Sequence, residues 1–449
     1  MLSYEKALFN VQVIRKHFFK DKAYQLYLFA DELVMTDDPT NLPKYNLKTN
    51  LTTTIKWICE NKRIVAFEFS YNSRQKEVYG PKLNLLKEML AGKVFFSPVS
   101  QFYQFHMEIG SGMTGSVYRC VSTENNESYY AIKKVDKMKI TQNDGAIPQL
   151  IHELSLLNQL QHPSIVKLRE TYVDEQNYYI VMEYINGKTL HSELQSRQYG
   201  LSVNETIKIM KELLEAITYI HNKGIMHRDI NPLNIMKAET VKLIDFGLAR
   251  KIKNQLIFPT SGTPGYMAPE IINFSKDKPY DEKADIFSLG CVLYKLLTGE
   301  NLFSTKQGKQ TVYQSNKEGV FELKKQQQHP ECNSNKMDQL FILLPQMLES
   351  NPQMRLNAKV CLTVLEEIEN NNLQVERLIK KILIRKQLAF HTSEDYYQDK
   401  KSDEKVQKCK CRQSVDANSK KSIDEISVFS KNVMLQNQQR VILPQKKQP

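Results

Sequence analysis

Glycine is scarce in this chain, with 16 among 449 residues, about half the usual share of ~7%. Collagen-like repeats and glycine-serine linkers are thereby excluded. Proline is also limited to 16 residues and tryptophan to one. The seven cysteines (Cys59, Cys120, Cys291, Cys332, Cys361, Cys409 and Cys411) are odd in number and scattered. A disulfide framework is therefore not expected, and a reducing compartment, cytoplasmic or nuclear, is. Cys409 and Cys411 lack a second ligand pair nearby, which disfavours zinc. No run of about 20 apolar residues occurs, so no transmembrane segment is expected. Glu5, Arg15 and Lys16 interrupt the apolar residues of the N-terminus, which leaves no signal-peptide core.

What is present fits a globular chain of two to four domains. Hydrophobic residues make up 41% and charged residues 25%, enough to build cores. The net charge is +12, but it is unevenly spread. Residues 371–449 hold 17 lysines and arginines against 9 acids, a net of +8. No aromatic interleaving or binding motif accompanies that charge, so nucleic acid is not an expected partner. Three of the few glycines, Gly110, Gly112 and Gly115, fall within six residues, and none follows Gly319.

Residues 1–100 read as a small α+β domain. Tyr24–Phe29 and Ile64–Phe69 are strand-like, rich in β-branched and aromatic residues. Leu83, Leu86 and Leu90 recur at helical spacing, and Gly92 stands where a helix end favours glycine. Residues 103–140 read as strands around a tight glycine turn. Ile147–Leu160 reads as a helix with Leu150, Leu154 and Leu157 on one face. From Leu201 helices dominate: Ser202 and Glu205 form a capping box, and residues 285–298 form an apolar helix closed by Gly299. From about 370 the chain is polar and basic, and most of it is expected to be disordered.

Ile109-Gly110-Ser111-Gly112-Met-Thr-Gly115-Ser-Val117 has the form G-x-G-x-x-G-x-V. Glycines allow backbone N–H groups to approach phosphates that a Cβ would hold away. Alone, the run fits a plain hairpin turn equally well. A strand follows it rather than the helix a dinucleotide fold needs. Lys133 lies in the apolar strand Ala131-Ile-Lys133. Glu153 shares a helix face with Leu150 and Leu157 and must point inward. A buried carboxylate is costly unless paired, and Lys133 is its expected partner.

Further along stand His227-Arg228-Asp229, Asn234, Asp245-Phe246-Gly247 and Ala268-Pro269-Glu270. In this order and spacing the motifs over residues 103–368 resemble a eukaryotic protein kinase of the serine/threonine type. The resemblance implies an α+β, two-lobed kinase fold that transfers the γ-phosphate of ATP to protein hydroxyls with Mg2+. Asp229 then resembles the base that accepts the substrate proton, and Asn234 and Asp245 the magnesium ligands. Lys133 and Glu153 resemble the pair that holds the nucleotide phosphates. Val117 and Ala131 resemble the roof over adenine, with Met236 below and Met182 guarding the back. The backbone of Glu183 and Ile185 would meet the adenine edge. Leu157, Leu168, His227 and Phe246 match the regulatory spine anchored on Asp285, and Glu270 with Arg355 the structural ion pair. Thr263, in Gly262-Thr263-Pro-Gly-Tyr266, marks the serine/threonine form of the substrate loop and would contact Asp229.

The chain departs from the family at Asn231, where a lysine normally supplies charge near the transferring phosphoryl group. Loss of one preorganised donor typically costs about 2.7–4 kcal/mol in catalysis, roughly 10²–10³-fold. A catalytically weak pseudokinase acting as a nucleotide-binding scaffold is therefore the alternative reading. Thr189 and Leu233 stand where arginine-directed kinases carry glutamates, so no strong demand for upstream arginine is expected. Thr260 and Ser261 are candidate phosphosites within reach of Arg228.

The flanks add two partner expectations. Strands closed by one helix make residues 1–100 resemble a pleckstrin-homology domain by pattern alone, although such domains usually carry a tryptophan in that helix and the single one here is Trp57. Lys16, Lys20 and Lys22 give only an incomplete phosphoinositide pattern. A lipid or protein partner there would make residues 1–100 a binding module that carries the kinase. Within the tail at 369–449, residues 373–390 set Leu378, Ile379, Ile382 and Leu388 beside Arg377, Lys380, Lys381, Arg385 and Lys386. That pattern suits a calmodulin-like partner or, more plainly, a last helix with a solvated basic face.

Overall fold

The computed structural model describes residues 4–16, 20–40, 42–112, 115–125, 127–141, 145–252, 261–274, 280–304, 311–319, 321–371 and 374–385. Two compact units emerge. The first comprises Met1–Gln161 with Val166–Asn186, and the second His162–Ile165 with Gly187–Pro449.

The first unit is built on one 13-stranded sheet. Its strands are β1 (Phe9–Arg15), β2 (Lys22–Leu28), β3 (Glu32–Thr36), β4 (Tyr45–Lys48), β5 (Thr54–Glu60), β6 (Arg63–Tyr71) and β7 (Arg74–Tyr79), then, after helix α1 (Leu83–Leu90), β8 (Phe95–Ser97), β9 (Tyr103–Ser111), β10 (Gly115–Ser122) and β11 (Tyr129–Asp136). Helices α2 (Lys137–Thr141) and α3 (Ala146–Leu157) precede β12 (Leu168–Val173) and β13 (Asn177–Glu183). In β1 the buried residues Phe9, Val11 and Val13 alternate with exposed ones, the period of a strand with one face in a core. Asn61-Lys62 and Asn72-Ser73 turn the β5–β6 and β6–β7 hairpins with positive φ at both residues, which matches the right-handed twist of the strands they join. Leu83, Leu86 and Leu90 of α1 are buried as their spacing predicts.

Strand order along the sheet is β4-β3-β2-β1-β7-β6-β5-β8-β12-β13-β11-β10-β9. The short strand β8 joins the two halves. Its Phe96 pairs in parallel with Ile55 of β5 on one side and Tyr172 of β12 on the other. Trp57, Phe96 and Tyr172 continue that connection in the core, with ring centroids 5.6 Å apart at each step. Sequence patterning separates residues 1–100 from the strands after 103, whereas the sheet runs across that position unbroken. Residues 1–100 hold seven strands, then α1 and the short β8, with Trp57 on β5 rather than on the helix.

The second unit is mainly helical. In chain order it contains β14 (Lys188–Thr189), α4 (Leu190–Gln195), α5 (Val203–Asn222), β15 (Ile225–Met226), β16 (Ile235–Lys237), β17 (Lys242–Leu243), β18 (Arg250–Lys251), α6 (Pro269–Ile272), α7 (Lys283–Thr298), α8 (Val312–Glu318), α9 (Asn335–Met347) and α10 (Ala358–Glu369). Helix α7 is the core element, buried on nearly every side from Ala284 to Thr298, and Gly299 ends it at φ 76°. Ser202 caps α5 by accepting the Glu205 N–H at 3.3 Å. The other half of the expected box does not form, because the Glu205 carboxylate binds Lys237 instead. Residues 375–385 are helical. Val375 and Ile379, one turn apart, are buried. Lys386, Leu388 and the rest of the basic tail lie outside the described residues. No helix among the described residues is long and apolar enough to cross a membrane.

Candidate active site

In the first unit, the glycine run joins β9 to β10. Gly112 N–H donates to the Gly115 carbonyl at 2.8 Å, closing the turn. The three glycines differ in their surroundings. A Cβ on Gly110 or Gly112 would meet nothing nearer than 3.8 Å. A Cβ on Gly115 would stand 1.8 Å from the Lys134 carbonyl oxygen, so the third glycine is required by the neighbouring strand itself. Met113 and Thr114 lie outside the described residues. On β11, Ala131 and Lys133 face Met182 and Ile180 of β13 across the ladder, and Lys133 also faces Val117 of β10. Lys133 Nζ lies 3.7 Å from Glu153 Oε1, with the carboxylate largely buried. Ile109 is exposed at the edge strand. The Glu183 N–H donates to the Lys167 carbonyl at 3.0 Å. Ile185 lies beyond the end of β13, and no described backbone group bonds to it.

In the second unit, the loop between β15 and β16 gathers a compact polar constellation. Asp229 is 6% exposed, and both its oxygens are engaged. Oδ1 accepts the Thr263 hydroxyl at 2.7 Å, and Oδ2 accepts Asn234 Nδ2 at 2.7 Å. Asn231 is fully enclosed. Its Nδ2 donates to Thr263 Oγ1 at 3.0 Å and to the Asp229 carbonyl at 3.1 Å, while its Oδ1 accepts the Leu233 N–H at 2.9 Å. Asp245 Oδ1 accepts the Gly247 N–H at 2.9 Å. Met236 is half-buried on β16.

Residues 103–364 match the family model for the protein kinase domain. The chain belongs to the protein kinase family. It is 32% identical over 265 residues to a serine/threonine-protein kinase, cds1, of Schizosaccharomyces pombe, which covers 57% of this chain and 56% of that one. It is 32% identical over 294 residues to a calcium-dependent protein kinase 5 of Plasmodium falciparum, covering 63% and 49% of the two chains. It is 33% identical over 222 residues to a calcium/calmodulin-dependent protein kinase type IV of Rattus norvegicus, covering 48% and 44%. The kinase thus spans about half the length of the curated relatives it matches.

The catalytic loop of this kinase hangs from Asp285 at the start of α7. Asp285 accepts the His227 and Arg228 N–H groups, each at 2.8 Å, and contacts His221 Nε2 at 2.9 Å. Burial raises its carboxyl pKa, but the bond from His221 and the nearby His221 and His227 rings outweigh burial and hold it below the usual value. Burial pushes the His227 imidazole toward its neutral form. Its ring packs edge-on to Phe246 at 4.8 Å. Leu157 and Leu168 are buried in the first unit.

Arg228 holds a positive φ of 71° and donates to the Ser261 hydroxyl. Ser261, one of the two candidate phosphosites, thus lies within reach of Arg228; Thr260 lies outside the described residues. Gly262 at φ 138° passes under the Arg228 carbonyl, where a Cβ would come within 3.1 Å. Arg355 is fully buried and forks onto both Glu270 oxygens.

Two supporting residues escape sequence reasoning. Asn316, buried on α8, accepts the Gly265 N–H at 2.9 Å and donates to the Met267 carbonyl at 3.0 Å, fixing the loop that carries Thr263. His221 braces Asp285 from the end of α5. Neither carries a motif, and both act across more than 45 residues of sequence. At the two positions where arginine-directed kinases carry glutamate, Thr189 spends its hydroxyl capping α4 and Leu233 is 40% exposed. Near the N-terminus, Lys22 pairs with Asp37 and Lys16 lies 3.9 Å over the Tyr79 ring.

Proposed function

We propose that this chain is a protein serine/threonine kinase that transfers the γ-phosphate of ATP with the help of Mg2+. The observation that supports it best is the Asp229–Asn234–Thr263 constellation. Transfer of a phosphoryl group asks little covalent chemistry of the protein and depends on positioning and charge. Asp229 is held from both sides, so its carboxylate is already oriented to take the proton of an incoming hydroxyl. Lys133, kept in place by Glu153, would meet the nucleotide phosphates, and the open backbone of Ile185 suits an adenine edge.

The donor set fits the metal. The Asn234 nitrogen is committed to Asp229, which turns its amide oxygen toward a different partner. That oxygen and the Asp245 carboxylate are the hard donors magnesium prefers. Among the described residues no cluster of three or more His, Cys, Asp or Glu could hold a metal alone, so nucleotide oxygens would complete the set. When bound, the ion neutralises charge on the phosphates.

A catalytically weak kinase is the second reading, and Asn231 is the observation that favours it. Its amide is engaged with Asp229, Thr263 and Leu233 and carries no charge for the phosphoryl group. Radiolabelled transfer by wild type, Asp245→Ala and Asn231→Lys decides between the two. Wild type is expected to transfer label and Asp245→Ala to lose at least about 10²-fold. No transfer by wild type with transfer by Asn231→Lys establishes the weak reading.

The names of two relatives refer to calcium, and one of them also to calmodulin. The helical stretch at 375–385 buries Val375 and Ile379, which supports the plainer role of a last packed helix. A calmodulin-like partner would have to lift that face first. A phosphoinositide partner for the N-terminal strands would have to compete for Lys16 and Lys22, both engaged with neighbours. Flotation with phosphoinositide vesicles tests it.

A further inference from the structure

We propose that residues 1–100 are a built-in positioning element that fixes the C-terminal end of α3, and through it Glu153, from behind. The proposal rests on the kinase reading for its catalytic consequence and on the first unit alone for its geometry.

Three contacts carry it. The first is the strand junction. β8 pairs in parallel with both β5 and β12, and the buried Thr171 hydroxyl of β12 donates to the Val94 carbonyl at 2.8 Å. The second is a buried charge. Lys87 of α1 pairs with Glu170 of β12, both side chains 10% exposed. The ammonium lies 4.3 Å over the Phe102 ring and 5.8 Å over Tyr172. The Tyr103 and Tyr172 hydroxyls each donate to Glu170 Oε2 at 2.8 Å. Three donors of this junction hold the carboxylate, Lys87 on Oε1 and the two tyrosines on Oε2, and a hydrogen-bonded buried ion pair of this kind favours one arrangement. Burial next to Glu170 pushes both tyrosine hydroxyls well above their usual pKa, so they remain donors.

The third contact reaches α3. Gly92, at φ 71°, has so little room that a Cβ would stand 2.5 Å from Asn158 Oδ1 and 3.5 Å from a Leu168 methyl. Asn158 is the C-cap of α3, and its N–H donates to the Leu154 carbonyl at 2.9 Å. Glu153 is the residue before Leu154. The backbone after α1 thus abuts the end of the helix that carries Glu153 and the first residue of β12. In the kinase this helix must hold Glu153 against Lys133, and here the pair stands at 3.7 Å. A separable adaptor would leave the α3 end open to solvent or to another protein. This chain supplies its own backing.

The test uses the full chain with Gly92→Val, Lys87→Met and Leu26→Ala. Leu26 is buried on β2, which four strands separate from β8 in the sheet order, so Leu26→Ala lowers stability without removing a side chain of the junction. Amide hydrogen exchange of α3 is read without nucleotide, and KM for ATP is compared with kcat at a temperature where all variants are folded. Gly92→Val and Lys87→Met are expected to speed α3 exchange and raise KM for ATP by about three- to tenfold, with Leu26→Ala leaving both near wild type. Equal changes in all three variants, or no change at α3 in the junction variants, overturns the proposal. If the wild type neither binds ATP nor transfers phosphate, the kinase reading fails, and α3 exchange still decides the positioning role.

Discussion

At the scale of single residues, the chemistry-bearing side chains were legible because their identities and spacing are unusual together. Lys133 on β11 meets Glu153 on α3 as the cost of a buried carboxylate requires, and Asp229, Asn234 and Asp245 lie in loops, where Asp229 accepts a bond from Asn234. What Asn231 does was not legible. Its loss of charge is plain in the sequence, but its grip on Thr263 depends on a loop more than 30 residues away. Asn316 and His221 were missed for the same reason. The three glycines also separate only in three dimensions, since only Gly115 is pressed against another backbone.

Asp285 gives a residue-scale prediction. Its pKa is lowered in the folded chain, so the unfolded chain binds more protons on the acid side. The stabilisation is present above the unfolded carboxyl value of about 3.9 and is lost as pH falls through the lower folded value. The His227 pKa is also lowered. Its contribution is full above the unfolded value of about 6.5 and is lost as pH falls through the folded one. Urea midpoints measured from pH 7 to pH 3 are expected to decline, and Asp285→Asn is expected to start lower and to flatten the most acidic part of that decline.

At the scale of elements, periodicity located α1, α3 and α7 to within a few residues, because each buries a full apolar face. Capping was only half legible. Ser202 caps α5, but Glu205 is drawn away by Lys237, a competitor on β16 that local sequence does not reveal. Ser202→Ala is expected to cost about 1 kcal/mol of stability, measured by chemical denaturation. Glu205→Gln is expected to cost less, because it leaves the cap in place.

At the scale of the whole chain, composition separates a strand-rich region from a helix-rich one, but it does not show that one sheet continues across residue 100. Nothing in the local pattern around residue 100 shows that Phe96 will pair on both sides. Parallel pairing joins residues far apart in sequence, which short-range patterns do not encode. A chain beginning at residue 101 is therefore expected to be aggregation-prone or unfolded in its first unit. It would leave β12 with an unpaired edge, Tyr172 and Phe102 uncovered, and Glu170 without Lys87. Size-exclusion chromatography and circular dichroism of that truncation check this.

The proposed activity is transfer of phosphate from ATP to serine or threonine through Asp229. The most direct measurement is labelled transfer by the full chain, with Mg2+, onto a positional peptide library, beside Asp229→Asn. Label is expected on serine and threonine without a dominant upstream arginine, with a loss of at least about 10²-fold in Asp229→Asn. Equal labelling by both proteins, or label confined to tyrosine, would contradict it.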